Sequence, residues 1–321
     1  MSAPPAAPPA SSPPRMAVRV GALDLANPVV AASGCFGYGA EFADVCDLRR
    51  LGAVSTKGLS LRPVAGNPGP RVVETPGGML NAIGLENVGV DAFLADKLPR
   101  LRALGPSGPR VIANIWDTAI EGYAHVARAL RGAAGLHAIE VNISCPNLKE
   151  GGDEFGTNPR KAAEVTEVVK READVPVIVK LSPNAGARLV EVARAVEAAG
   201  ADAVSAINTI TGLAVDLERR RPVLAYRTGG LSGPAVKPLA LRMVWQLVQA
   251  LTIPVMGIGG IMTGRDAAEF LLVGARAVQV GTATFVDPGA PARVAAELEA
   301  FLAARGIADV NDWIGALDAG S

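Results

Sequence analysis

From Val18 onward, short aliphatic runs recur along the chain, each bounded by Gly, Pro or Asn, and between them lie longer stretches whose apolar residues repeat at helical spacing. The runs predict strands over 29–32, 53–57, 111–115, 138–143, 176–181, 203–207, 254–258 and 277–281. The intervening stretches predict helices over 41–49, 90–103, 121–131, 159–173, 187–199, 236–250, 264–273 and 291–304. Asn158 before Pro159, and Thr263 three residues before Asp266, read as helix starts. A small hairpin, 18–20 with 23–25 around Gly21 and Ala22, precedes the series. Eight strands each followed by a helix predict an α/β fold, a closed (β/α)8 TIM barrel. An open doubly wound sheet is the alternative; the count of eight and the lack of an early G-x-G-x-x-G speak against it.

Two connections break the regular spacing, residues 58–89 after the second strand and 208–235 after the sixth. Both leave from carboxyl strand ends, where long ordered loops act as lids or binding walls. Polar residues collect on the same rim: Ser33 follows strand one, Lys57 and Gly58 end the second, Asn114 the third, Asn142 the fourth, Lys180 the fifth, and Asn208 and Thr209 the sixth. Gly259 and Gly260 follow strand seven, and Gly281 and Thr282 follow strand eight, the two positions where barrels cradle phosphate. A lysine ending a buried strand is costly unless it meets an anion or a polar ligand. Lys57 and Lys180 together with a phosphate cradle fit a flavin mononucleotide, which pairs a phosphate with a ring that turns anionic on reduction.

The fourth strand ends in Ile139 to Gly152, IEVNISCPNLKEGG. Glu140 and Asn142 interrupt its aliphatic run, and Pro146 cannot continue a ladder, which leaves Cys145 at the carboxyl end of a strand. A thiol between Asn142 and Asn147 suits acid/base or nucleophilic work beside a planar polar ligand, since amides offer donor and acceptor together. A buried packing cysteine is the competing reading of that residue alone. His125 and His137 lie away from the rim and read as structural, and Cys46 as packing on the first helix; Cys35 adjoins the rim at Ser33.

Composition narrows the function classes. The chain has 321 residues, half of them hydrophobic, with 36 glycines and a formal net charge of zero, so neither nucleic acid nor an anionic membrane is expected as partner. Three cysteines without a C-x-x-C pair favour a reducing, cytoplasmic setting and argue against a metal or iron–sulfur site in this chain. The first fifteen residues are dominated by Pro, Ala and Ser, so residues 1–16 are expected to form a disordered tail and 17–321 one barrel domain. No stretch reaches the ~20 apolar residues that span a bilayer.

VNISCPNLKEGG, NAIGLEN at Asn81 to Asn87, STKG at Ser55 to Gly58 and TGGLSGPAVKP at Thr228 to Pro238 are similar to the dihydroorotate dehydrogenase family, specifically its class 1B catalytic subunits. The similarity runs from about Val18 through the last helix. It implies a barrel holding FMN at its strand ends, with the pyrimidine stacked on the flavin and Cys145 as the base. Carried over by position, it assigns Ser33, Lys57, Gly58, Asn114, Asn142, Lys180, Ile207, Gly233, Gly259, Gly260, Gly281 and Thr282 to FMN. It assigns Lys57, Asn81, Ala82, Ile83, Gly84, Leu85, Asn142, Asn147, Asn208 and Thr209 to the substrate. Trp116 with Asp117, and Tyr226 with Arg227, depart from the family's pattern beside the rim loops. Class 2 members would have serine at position 145 and an N-terminal membrane helix.

The implied reaction is the oxidation of (S)-dihydroorotate to orotate in pyrimidine (UMP) biosynthesis, with the C5 proton taken by Cys145 and the C6 hydride by the flavin. The resemblance further implies a homodimer at the core of a heterotetramer, whose partner subunit carries FAD and an iron–sulfur cluster and passes electrons to NAD. The chain lacks both a dinucleotide fingerprint and a four-cysteine set of its own. A fumarate-using class 1A enzyme, another pyrimidine-handling flavin barrel such as dihydropyrimidine dehydrogenase or dihydrouridine synthase, and a non-catalytic barrel binding a phosphorylated ligand remain as alternatives. The last would purify colourless.

Overall fold

The computed structural model describes residues 12–144, 146–147, 153–318 and 320. Eight parallel strands, Val29–Ala31, Ala53–Ser55, Arg110–Ile115, Ala138–Asn142, Val177–Lys180, Ala203–Ala206, Val255–Ile258 and Ala277–Val280, pair in sequence order, and the eighth closes on the first. Nearly every strand residue is buried, because the inner face fills the barrel and the outer face meets helices. All eight coincide with the expected strands to within two residues at either end. The hairpin Val18–Val20 with Leu23–Leu25 pairs Val18 with Leu25.

Six of the eight expected helices form with nearly the expected ends: Ile120–Leu130, Pro159–Glu172, Leu189–Ala198, Lys237–Ala250, Gly264–Leu272 and Ala290–Ala303. Asn158 caps one by accepting from the Lys161 amide, and Thr263 with Asp266 makes a reciprocal capping box. The stretch expected at 90–103 is helical but broken into Gly89–Ala92, a π-helical turn Phe93–Lys97, and Leu98–Arg102. Pro99 lacks an amide hydrogen, so the regular ladder cannot pass through it.

The helix expected at 41–49 does not form; single 3-10 turns at Ala40–Phe42 and Leu48–Arg50 stand there, so Cys46 is buried in a turn and not on a helix. Gly39 enters with φ 97°, and the Asp47 carboxylate accepts from the Arg49 amide, a local bond that competes with helix propagation. The C-terminal helix Ala290–Ala303 packs on the first barrel strand and on the second of these turns, covering the side left without a helix.

The two long connections meet. Val72–Thr75 and Gly78–Asn81 from the first, and Ile210–Leu213 and Thr228–Ser232 from the second, form one antiparallel sheet over the carboxyl rim. Ser232 pairs with Met79, Leu231 with Leu80 and Gly230 with Asn81. A side chain at Gly229 would place its Cβ 2.5 Å from Leu224 and 2.8 Å from the Asn81 carbonyl, so the glycines let this sheet close on the rim.

At the opposite, amino-terminal end of the barrel, described residues ahead of Ala17 pack on the C-terminal segment. Pro14 is buried, Arg15 donates its amide to Ala308 and accepts from the Val310 amide, and its guanidinium pairs with Asp309 at 2.8 Å. Among the described residues no helix is long and apolar enough to cross a membrane.

Candidate active site

The carboxyl rim encloses a cavity of about 510 Å³, within the range of small-molecule sites. Ser33, Lys57, Gly58, Asn114, Asn142, Lys180, Ile207, Gly233, Gly259, Gly260, Gly281 and Thr282 all line it. So do Asn81, Ala82, Ile83, Gly84, Leu85, Asn208 and Thr209. Cys145, the expected base, lies outside the described residues, and the side chain of Asn147 is likewise not described.

One end of the cavity is built from backbone. Gly233, Gly259 and Gly260 have φ of 103°, 134° and 70°, where glycine carries no steric cost. A Cβ on Gly260 would sit 2.8 Å from the Gly233 carbonyl and 3.0 Å from the Lys237 amide nitrogen, and one on Gly233 would sit 2.6 Å from the Gly78 Cα. Neighbouring backbone therefore demands glycine at these positions, and the wall there presents main chain without side chains to the cavity. Thr282 donates to the Ser232 hydroxyl at 2.8 Å, tying the eighth strand end to the covering sheet.

The other end is lined by amides held in opposite senses. Asn114 donates its Nδ2 to Glu140 at 2.7 Å, which turns its carbonyl oxygen away from the carboxylate. Asn142 uses its carbonyl oxygen to accept from Asn208 Nδ2 at 3.0 Å and from the Ser144 amide at 3.1 Å, which leaves its NH2 to donate. Asn208 also reaches the Ser144 hydroxyl at 2.9 Å. Acceptor and donor thus face the same space, as a ring with alternating N–H and C=O edges requires. Lys180 donates to Ser33 Oγ at 3.1 Å, and Lys57 stands in the same wall.

The NAIGLEN loop is fixed from behind. Asn87 is buried; its Oδ1 accepts from the Gly89 and Ser60 amides, and its Nδ2 donates to Ser60 Oγ and the Leu85 carbonyl. Leu85 adopts φ 59°, a conformation a branched side chain enters only when its surroundings enforce it. Arg71 and Glu86, paired at 2.6 Å, line the same cavity. Cys35 also lines the cavity, and burial pushes its thiol up to about 11, against the pull of Lys180 and Lys57, so it is no base near neutral pH.

The family model described as dihydroorotate dehydrogenase matches residues 15–302. The chain belongs to the dihydroorotate dehydrogenase family. It is thereby an oxidoreductase. Among similar proteins, the dihydroorotate dehydrogenase B (NAD(+)) catalytic subunit of Geobacter sp. (strain M21) is 59 % identical over 305 residues, 95 % of this chain and 99 % of the relative. Proteins with the same description from Citrifermentans bemidjiense and Geobacter sulfurreducens are 58 % and 57 % identical over 305 residues, again 95 % of this chain and 99 % of each relative.

Set beside that dihydroorotate dehydrogenase membership, two features of the rim were not expected. Phe285, Arg71 and Glu86 join the wall. More unusual is a buried carboxylate beneath it, Glu140, which the sequence signals only as an acid two residues before Asn142, on the same strand face by the period of two. Trp116, one of the family departures, is buried with its indole Nε1 lacking a partner among the described residues, and Asp117 caps the following turn by accepting from the Thr118 and Ala119 amides. Tyr226 and Arg227 are exposed on the connection after strand six. His125 is exposed on its helix, and His137 accepts from the Val111 amide at the barrel's amino end, both distant from the rim cavity.

Proposed function

We propose that this chain oxidises (S)-dihydroorotate to orotate on a bound FMN, in the cytoplasm, as the catalytic subunit of a complex that delivers the electrons to NAD. The observation that carries the reading is the single cavity that joins a main-chain anion cradle to paired asparagine amides of opposite polarity. FMN fits on both counts: its phosphate matches the side-chain-free glycine wall at the ends of the seventh and eighth strands, and its ring matches the polar wall with two lysines. When bound, FMN supplies the two-electron acceptor.

The chain's own residues do the rest. Lys57 and Lys180 offset negative charge that builds up in the site as substrate is oxidised. Asn81, Asn142, Asn147, Asn208 and Thr209 hold the pyrimidine edges and carboxylate, matching each N–H and C=O with an amide or hydroxyl. Ser33, Gly58, Asn114, Ile207, Gly233, Gly259, Gly260, Gly281 and Thr282 hold the cofactor. Cys145 removes the C5 proton; a cysteine's ordinary pKa of about 8.5 needs only a modest downward shift to serve there.

The electrons leave through a second subunit bearing FAD and an iron–sulfur cluster, docked on a homodimer of this chain; of this, the descriptions of its relatives support a separate subunit and NAD(+) as acceptor. With dihydroorotate as donor, the purified chain should reduce an artificial dye but not NAD, and adding the partner subunit should restore NAD reduction. Brisk NAD reduction by the chain alone contradicts the partner.

A further inference from the structure

Beneath the cavity, the barrel centre holds a carboxylate that the proposed mechanism does not use. Glu140 is fully buried and accepts four hydrogen bonds from four other strands: Ser55 Oγ at 2.9 Å, Asn114 Nδ2 at 2.7 Å, Ser205 Oγ at 2.8 Å and Gln279 Nε2 at 2.6 Å. Four donors fill the lone-pair sites of an ionised carboxylate, and two of them, the amide groups, cannot turn to accept a proton without flipping. Burial alone would push its carboxyl up, but the nearby Lys180 charge and the bonds from Gln279, Ser205 and Asn114 more than offset this and hold it below the usual range. The buried group is therefore an anion. Two of its neighbours, Asn114 and Lys180, are themselves cavity wall.

Resting on the reading that the cavity holds FMN, we infer that Glu140 is a positioning residue that sets the balance between oxidised and reduced cofactor. It acts in two ways. By taking the Asn114 N–H it holds that side chain with its carbonyl turned from the carboxylate, and by its charge it offsets part of the Lys180 cation in the cavity wall. A lysine alone would favour the anionic reduced ring; the carboxylate tempers that preference. Removing the charge while keeping the shape should then favour reduced FMN.

Glu140→Gln is close to isosteric, and the site can absorb it. Gln279 Oε1 has no partner among the described residues, so a flip of Gln279 would let it accept from the new amide while Asn114 keeps an oxygen to donate to. The experiment is dye-equilibrated reduction of the FMN-loaded protein, with the Kd of oxidised FMN measured separately. Glu140→Gln should raise the affinity for reduced relative to oxidised FMN at least tenfold, which a two-electron couple reads as about 30 mV toward positive potential. Ser205→Ala removes one donor and leaves the charge, and should hold the ratio within threefold of wild type. The exchange Glu140→Gln with Gln279→Glu keeps one carboxylate and one amide in the same cluster and should also stay within threefold, a test that stands if the single Gln variant does not fold. Glu140→Gln with FMN bound and an unchanged ratio overturns the inference, as does an exchange variant shifted tenfold. Wild-type chain that binds no added FMN overturns the cofactor reading, and this inference with it.

Discussion

Lys180 and Glu140 supply a test of how the barrel centre is held together. Lys180 pairs in register with Asn142, two residues beyond Glu140 on the neighbouring strand. With ~3.3 Å per residue along the strand and ~4.8 Å between strands, the two backbone positions lie about 8 Å apart, and unit charges at about that separation in an effective dielectric near 20 attract by roughly 2 kcal/mol. Lys180→Met removes this attraction and the bond to Ser33 Oγ, and strands a buried carboxylate, so the flavin-free protein should lose roughly 2 to 4 kcal/mol. Glu140→Gln strands the lysine instead. In the double variant neither charge remains, and the loss should fall short of the sum of the single losses by roughly 2 kcal/mol. Urea unfolding of the four flavin-free proteins at neutral pH measures the cycle. Losses that add to within about 0.5 kcal/mol would show that the two groups do not sense each other.

Cys145→Ser should keep FMN but slow its reduction by dihydroorotate by something like ~10² to 10⁴, read in single turnover. Cys35, with its thiol held protonated, should not rescue it; a native rate in the serine variant would show that Cys145 is not the base. The same thiol gives a pH signature: its pKa is raised from 9.0 to about 11, so its stabilising contribution is full below pH 9 and lost as pH climbs to 11. Cys35→Ala should flatten the urea-midpoint profile of the flavin-free protein in that window; an unchanged slope counts against it. Deleting residues 2–11 should leave the Tm unchanged, whereas deleting through Met16 should lower it by removing the Arg15 backbone bonds to Ala308 and Val310.

Much of this architecture is legible locally. Runs such as VIVK at 177–180 and AVQV at 277–280 are short, aliphatic and bounded by turn residues, and a strand buried on both faces reads that way whatever surrounds it. Most rim residues are legible because they stand at or just past the carboxyl ends of the barrel strands. The covering sheet is not: TGGLS at 228–232 has no strand character of its own, and it becomes a strand because Gly78–Asn81, nearly 150 residues earlier in the chain, pairs with it. The absent helix at 41–49 has the right periodicity, but the Asp47 cap and the Gly39 entry override it. Glu140 is visible in the chain as an acid in an apolar strand, yet its meaning depends on Ser55, Asn114, Ser205 and Gln279, which only barrel closure brings together.

On the proposed function, one cavity binds FMN and dihydroorotate so that the substrate reduces the cofactor. Anaerobic addition of dihydroorotate to the purified, FMN-loaded chain, without any partner, measures this directly. The visible flavin absorbance should bleach with one orotate formed per flavin. A flavin that stays oxidised with dihydroorotate, yet bleaches with dithionite, would contradict it.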